Sequence, residues 1–244
     1  MNPYTPTKTP RYVIIDYRAG EEILNYLRKL NIEPIPTLKC TDLQEPVDGH
    51  PDMVIHPIDF KTFVAAPNVF DYYRNVLGSI GIKVIKGGKT LSRNYPDDIA
   101  YNVARIGRYA FHNIKHTDQV LKYYLEEAGI EFIHVNQGYT KCSIAPVSEN
   151  KALTSDFLIH EKLISYNIDC MYIDSKVVHL KGYDNGFIGG SVGLINEKIF
   201  LSTGKIFDEN ISVSLRKFIQ SSEYIYDEAS SQQITDLGTL IPII

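Results

Sequence analysis

The chain has no tryptophan and only three cysteines in 244 residues. Cys40, Cys142 and Cys170 lie far apart and form neither a CxxC pair nor a zinc-ligand spacing. A sparse, odd count without an N-terminal apolar leader fits a reducing compartment, so a cytoplasmic protein is expected. No apolar run approaches the ~20 residues that a membrane-spanning helix needs, and no membrane partner is expected. An excess of one charge is lacking too. Lys and Arg number 25 and Asp and Glu 29, for a net charge of −4, a poor basis for a nucleic-acid surface. Phosphate loops are also missing. "GGKT" at 87–90 ends like one, but Lys83 stands where its first glycine belongs. No cofactor and no metal are expected.

What the sequence does hold is repetition. Five segments carry apolar residues at helical spacing: Ile23, Leu24, Leu27 and Leu30; Phe70, Tyr73, Leu77 and Ile80; Val120, Leu121, Tyr124, Leu125 and Ala128; Ile159, Leu163 and Ile164; and Ile211, Leu215, Phe218 and Ile219. Each leads into a short apolar stretch: "NIEPIP", "GIKVIK", "GIEFIH", "NIDCMY" and "SEYIYD". Gly or Asn opens four of the five, as expected where a helix closes in the left-handed region; Ser222 takes that place in the fifth.

A β-hairpin is expected ahead of each helix. "PDMVIHPIDFKTFVAAP" and "DDIAYNVARIGRYAFHN" align without gaps from Asp52 and Asp98, which sets His56 on Asn102. "KCSIAPVSENKALTSD" and "GFIGGSVGLINEKIFLSTG" read the same way, and "TDLGTLIPII" supplies one strand whose partner is "RYVIIDY" near the N-terminus. The expectation is an α/β fold of five hairpin–helix–strand modules over residues 12–244, a single domain closed by pairing of its N- and C-terminal strands. Residues 1–11, with prolines at 3, 6 and 10, read as an extended tail.

Five such modules resemble the α/β propeller of the penteins, the guanidine-modifying enzymes: arginine and agmatine deiminases, dimethylarginine hydrolases and amidinotransferases. "YPDDIAYNVARIGRYAFHN", "QGYTKCS", "GFIGGSVG" and "TDLGTLIPI" are similar to an uncharacterised, mainly clostridial bacterial family described as having this fold. The resemblance implies a narrow axial pocket, a nucleophilic cysteine in the last module, a histidine from the fourth, and carboxylates that grip a guanidinium. The sequence departs from that pattern. Gly238 or Thr239 stands about where the cysteine would fall, and "YDNG" offers Asp184 and Asn185 but no histidine.

Cys142 at the start of the third hairpin is the candidate relocated nucleophile, with Lys141 beside it to favour a thiolate. The alternative is a small buried filler. His56 is a candidate acid or base, or a structural histidine. Asp236 is the acidic candidate of the last module. Asp98, Asn102, Lys141, Asp184 and Asn185 are candidate ligand contacts, and Gly189 and Gly190 offer either close backbone approach to a ligand or tight strand packing. The expected partner is a small molecule, guanidino or amino-acid-like, and self-association is compatible with the sequence. Three functions compete: a hydrolase or transferase at C–N bonds, a non-catalytic ligand-binding protein on the same scaffold, and a structural or partner-binding ring.

Overall fold

The computed structural model of the chain describes residues 2–244. The chain opens with β1 (Tyr12–Ile15), α1 (Glu21–Lys29) and β2 (Glu33–Pro36). The second module is α2 (Pro51–Val54), β3 (Ile55–Pro57), β4 (Thr62–Ala65), α3 (Phe70–Gly78) and β5 (Lys83–Lys86). The third is β6 (Ala104–Ile106), β7 (Tyr109–His112), α4 (Gln119–Glu127) and β8 (Glu131–His134). The fourth is α5 (Thr140–Ser143), β9 (Ile144–Ser148), β10 (Lys151–Thr154), α6 (Phe157–Ser165) and β11 (Asp169–Tyr172). The fifth is β12 (Val192–Leu194), β13 (Ile199–Ser202), α7 (Glu209–Gln220) and β14 (Ile225–Glu228), and β15 (Ile241–Ile243) ends the fold.

These strands form five three-stranded sheets. In each, an antiparallel pair is extended by a parallel strand that follows the helix. In the first sheet the antiparallel partner comes from the other end of the chain: Tyr12 faces Ile243 and Ile14 faces Ile241.

The five long helices bury equivalent inner positions four residues apart: Ile23 and Leu27, Tyr73 and Leu77, Leu121 and Leu125, Ile159 and Leu163, Leu215 and Ile219. Each fully buried Leu or Ile contributes roughly 1.5–3 kcal/mol of apolar transfer energy. Ile164, expected on the same stripe, is off it and 49% exposed. Aspartates cap three of the helices: Asp118, Asp156 and Asp208 accept from the backbone N–H of Leu121, Ile159 and Ile211. Left-handed residues close all five, at Asn31, Gly81, Gly129, Asn167 and Glu223. In the fifth, that residue is therefore Glu223, one position after the Ser222 expected.

The segment before β1 packs inward. Asn2 and Tyr4 are buried, and Asn2 Nδ2 donates to the Arg105 carbonyl at 2.9 Å.

One register expectation fails. His56 pairs with Val64, one residue before the end of β4, and Ala104 pairs with Phe111, one residue before the end of β7. His56 thus corresponds to Ala104, and Asn102 lies in the turn ahead of the strand. Counted the same way, Cys142 and Gly238 are equivalent, since Ala145 pairs with Leu153 and Ile241 with Ile14. Cys142 also sits on a helical turn, α5, rather than in the strand itself.

Candidate functional site

The turns that precede the hairpin strands converge. Asp52 lies on α2, Asn102 just before β6, Lys141 and Cys142 on α5, and Asp236 to Thr239 before β15; all but Leu237 and Gly238 of these are polar or nucleophilic, and they are buried. Asn102 organises α5. Its Oδ1 accepts from the backbone N–H of Lys141 at 2.8 Å and of Cys142 at 3.2 Å, and its Nδ2 points at Cys142 Sγ at 3.1 Å. The thiol in turn donates to Asp52 Oδ2 at 3.3 Å.

Lys141 is a tie across modules. Its ammonium donates to Thr239 Oγ1 at 2.8 Å, the Gly189 carbonyl at 3.0 Å and the Ile144 carbonyl at 3.4 Å. Three donors meet three acceptors, so the ammonium has none left for a ligand.

His50 stands between two carboxylates. Its Nδ1 is 3.8 Å from Asp236 Oδ1 and its Nε2 3.9 Å from Asp16 Oδ2, too long for hydrogen bonds, and neither ring nitrogen has a partner. A His50 ring nitrogen, an Asp52 oxygen and the Cys142 sulfur lie within 4.8 Å of one another. That donor set could hold a metal ion, or pair a thiol with a base.

His50, Cys142 and Asp236 meet at a cavity of about 260 Å³. Val47, Leu180 and Phe187 give it apolar walls, Tyr139 and Tyr183 aromatic ones, and Asn185 completes it. The volume is close to the lower end of small-ligand sites.

Burial sets the protonation states. Desolvation, helped by the Asp52 and Asp236 charges, raises the Cys142 thiol well above its usual range. Desolvation lowers the His50 imidazole despite the nearby Asp236 and Asp16 carboxylates. Burial also brings the Lys141 ammonium down to about 8, against the pull of Asp52, and raises the Asp52 carboxyl well above its range, against the pull of Lys141. At rest the thiol and the imidazole are both neutral.

The structure brings three expected residues to this cavity: Cys142, Asp236 and Asn185. Asn102 supports Cys142 from behind. The remaining expectations are corrected. His56 is buried edge-on to the Tyr4 ring, with centroids 5.8 Å apart, and is not among the cavity residues. Asp98 accepts the Tyr139 hydroxyl at 2.6 Å and so sits one residue behind the wall. Asp184 is exposed and outside the cavity. Gly189 and Gly190 serve packing rather than a ligand. A Cβ on Gly189 would stand 2.4–2.5 Å from the carbonyl oxygens of Lys141, Cys142 and Ile144, and one on Gly190 would overlap Asp236 Oδ1. His50, Asp52 and Asp16 were not anticipated. The signal available was "GHPD", a histidine two residues ahead of an acid at the mouth of the β3–β4 hairpin.

Solved structures share this architecture at low identity. An amidinotransferase of saxitoxin biosynthesis from Microseira wollei is 13% identical, with a TM-score of 0.60 over 100% of this chain and 96% of that one. A dimethylarginine dimethylaminohydrolase from Pseudomonas aeruginosa, a cysteine-to-serine mutant in complex with citrulline, is 10% identical, with a TM-score of 0.54 over 90% and 92% of the two chains. Agmatine deiminase from C. jejuni is 10% identical, with a TM-score of 0.55 over 94% and 89%. These likenesses establish a mixed α/β fold of pentein type. No curated protein matches the chain in sequence. Among the described residues no helix is long and apolar enough to cross a membrane. The family model that matches residues 14–241 is described as "Family of unknown function (DUF6873)", and the chain belongs to that family.

Proposed function

We propose that the chain is a single-domain, five-module propeller enzyme of the cytoplasm that acts at a C–N bond of a small guanidino or amidino compound. Cys142 is the nucleophile and His50 the acid and base. The observation that carries this reading is their placement on one cavity, with reactive atoms within 4.8 Å and Asp236 beside them. That spacing exceeds a hydrogen bond, and such contacts commonly tighten when a ligand binds.

The chemistry follows from the resting state. A guanidinium entering the cavity sets its positive charge against Asp236 and opposes the field that keeps the thiol protonated. His50 takes the thiol proton, and the resulting imidazolium lies between Asp236 and Asp16. The sulfur lone pair attacks the central carbon, and the C–N π pair moves onto nitrogen. One C–N bond then breaks with its electron pair on the departing amine, which takes the proton from His50. Water adds to the S-amidino intermediate as His50 removes its proton, the C–S bond breaks with its pair on sulfur, and the thiol is re-protonated from His50. The sum is a guanidine and water giving a urea and an amine; an acceptor amine in place of water gives transfer.

A chloroacetamidine, a cationic alkylating agent, tests this. It should label Cys142 faster than neutral iodoacetamide by about tenfold or more after correction for their rates with a free thiol. His50→Gln should slow that labelling. A Cys142 rate no faster than that of Cys170 would sink the reading.

The raised thiol and the absence of a cysteine at Gly238 favour a second reading, a binding protein that holds such a compound without consuming it. Thermal stabilisation by a guanidino compound with no product formed over many hours would select it.

A further inference from the structure

The cavity wall carries information about the rest of the ligand, beyond the group at the reacting end. Among the residues that line it, Asp236 is the one acid, and there is no Lys or Arg. Two buried or half-buried cations near the wall are occupied. Lys141 is saturated by Thr239 and two carbonyls. Arg18 puts Nε and Nη2 on Asp16 and donates from Nη1 to the Glu45 carbonyl and from Nη2 to the Pro46 carbonyl, holding the loop that carries Val47. A ligand carboxylate in this cavity would therefore be desolvated without a counter-charge.

The same wall disfavours a second positive charge. The residues beyond His50, Cys142 and Asp236 are Val47, Leu180, Phe187, Tyr139, Tyr183 and the neutral amide Asn185. Across the cavity, Tyr183 Oη donates to Gln44 Oε1 at 2.9 Å, and Gly182 packs against Pro46, so the two loops that form the wall are joined.

We propose that the occupant is a monocation with an apolar body and no carboxylate, an alkyl or arylalkyl guanidine or amidine, rather than an amino acid or a diamine derivative. The aromatic walls suit a cation with a flat or hydrocarbon body, and the small volume limits its length. This inference rests on the proposed function for the guanidino or amidino end. It goes further in excluding the amino-acid-like ligand that the sequence left open.

The test is calorimetric binding to the full chain carrying Cys142→Ser, with benzylguanidine, agmatine and arginine as probes. Benzylguanidine should bind at least about tenfold more tightly than either of the others. Tyr183→Arg, a change at a residue 45% exposed, should shift the ratio of arginine to benzylguanidine affinity toward arginine by a similar factor. Arginine or agmatine binding as tightly as benzylguanidine, or no binding by benzylguanidine, overturns the inference. Chloroacetamidine labelling of wild-type Cys142 separates the two failures. Fast labelling with arginine preferred leaves the proposed reaction standing and this ligand class wrong, whereas slow labelling removes the reaction.

Discussion

A Cβ added to Gly238 would stand 2.2 Å from the His50 Cβ, so these two residues claim one volume. Gly238 is the module equivalent of Cys142, and it precedes β15, the strand that completes the first sheet from the C-terminal end, where the resemblance to guanidine-modifying enzymes would place a nucleophile. His50 fills the space that a side chain there would need, and Gly238 has φ +65, which favours glycine further. Installing a cysteine at 238 should therefore fail to create an active thiol. Gly238→Ala should destabilise by about 2–5 kcal/mol, from the sum of backbone strain and overpacking. Urea midpoints read the loss, and Gly238→Ala combined with His50→Gly should recover part of it. A neutral Gly238→Ala would contradict the shared-volume account.

Lys141 is expected to matter more for folding than for ligand contact. Lys141→Ala strands the Gly189 and Ile144 carbonyls and the Asp52 carboxyl in a buried setting, a loss of about 3–5 kcal/mol. Equilibrium unfolding checks this. A loss below about 1 kcal/mol would mean that the tie between modules is weak.

Acid should weaken the fold through histidine. His112 is buried, with Nδ1 at 2.7 Å from Thr117 Oγ1 and Nε2 at 3.0 Å from the Gly138 carbonyl, and burial lowers its pKa to about 4. A base whose folded pKa is depressed contributes its full stability above the unfolded value near 6.5. That contribution is lost as pH falls through the window down to 4, because the unfolded chain binds a proton that the folded chain refuses. His112 alone then accounts for about 3 kcal/mol by pH 4. Urea midpoints from about pH 7.5 to pH 4 should fall, and His112→Gln should flatten that limb. Parallel slopes for the two proteins would show that His112 is not the source. The raised Asp52 acts in the opposite sense over its own window.

Glu223 is the one helix-closing left-handed residue of the five that is neither Gly nor Asn. Glu223→Gly should raise stability by about 1 kcal/mol, since glycine adopts φ +65 without steric cost. An unchanged or lower melting temperature would show that the Glu side chain compensates for the strain.

The periodic parts of the molecule were legible in the sequence. Inner pairs such as Leu121 with Leu125 report a helix face directly, and "GIEFIH" after such a helix reports the left-handed turn and the parallel strand. The pairing of "RYVIIDY" with the last strand followed from counting modules, because one hairpin lacked a partner. The site resisted because its residues come from aperiodic turns. Nothing in the alternation of β3 fixes where His50 or Asp52 points, since both precede the strand. Sliding the β3–β4 hairpin over the β6–β7 hairpin without gaps put His56 opposite Asn102, and the sheets show that pairing to be out of register. The burial of Lys141 could not be read locally either. It depends on a carbonyl near Gly189 and a hydroxyl on Thr239, both brought in from later modules.

The Tyr12–Ile243 and Ile14–Ile241 pairs also bear on how the molecule assembles. Strand β1 leaves the ribosome early, yet one of its edges has no native cover until β15 is made. During synthesis that edge is open to pairing with other nascent chains, and the first sheet is the last that can be finished. Shear or proteolysis that frees β15 would reopen the same edge in the mature protein. The chain's earliest strand is thus its longest-waiting one, and the most direct route to aggregation passes through the residues that join its two ends.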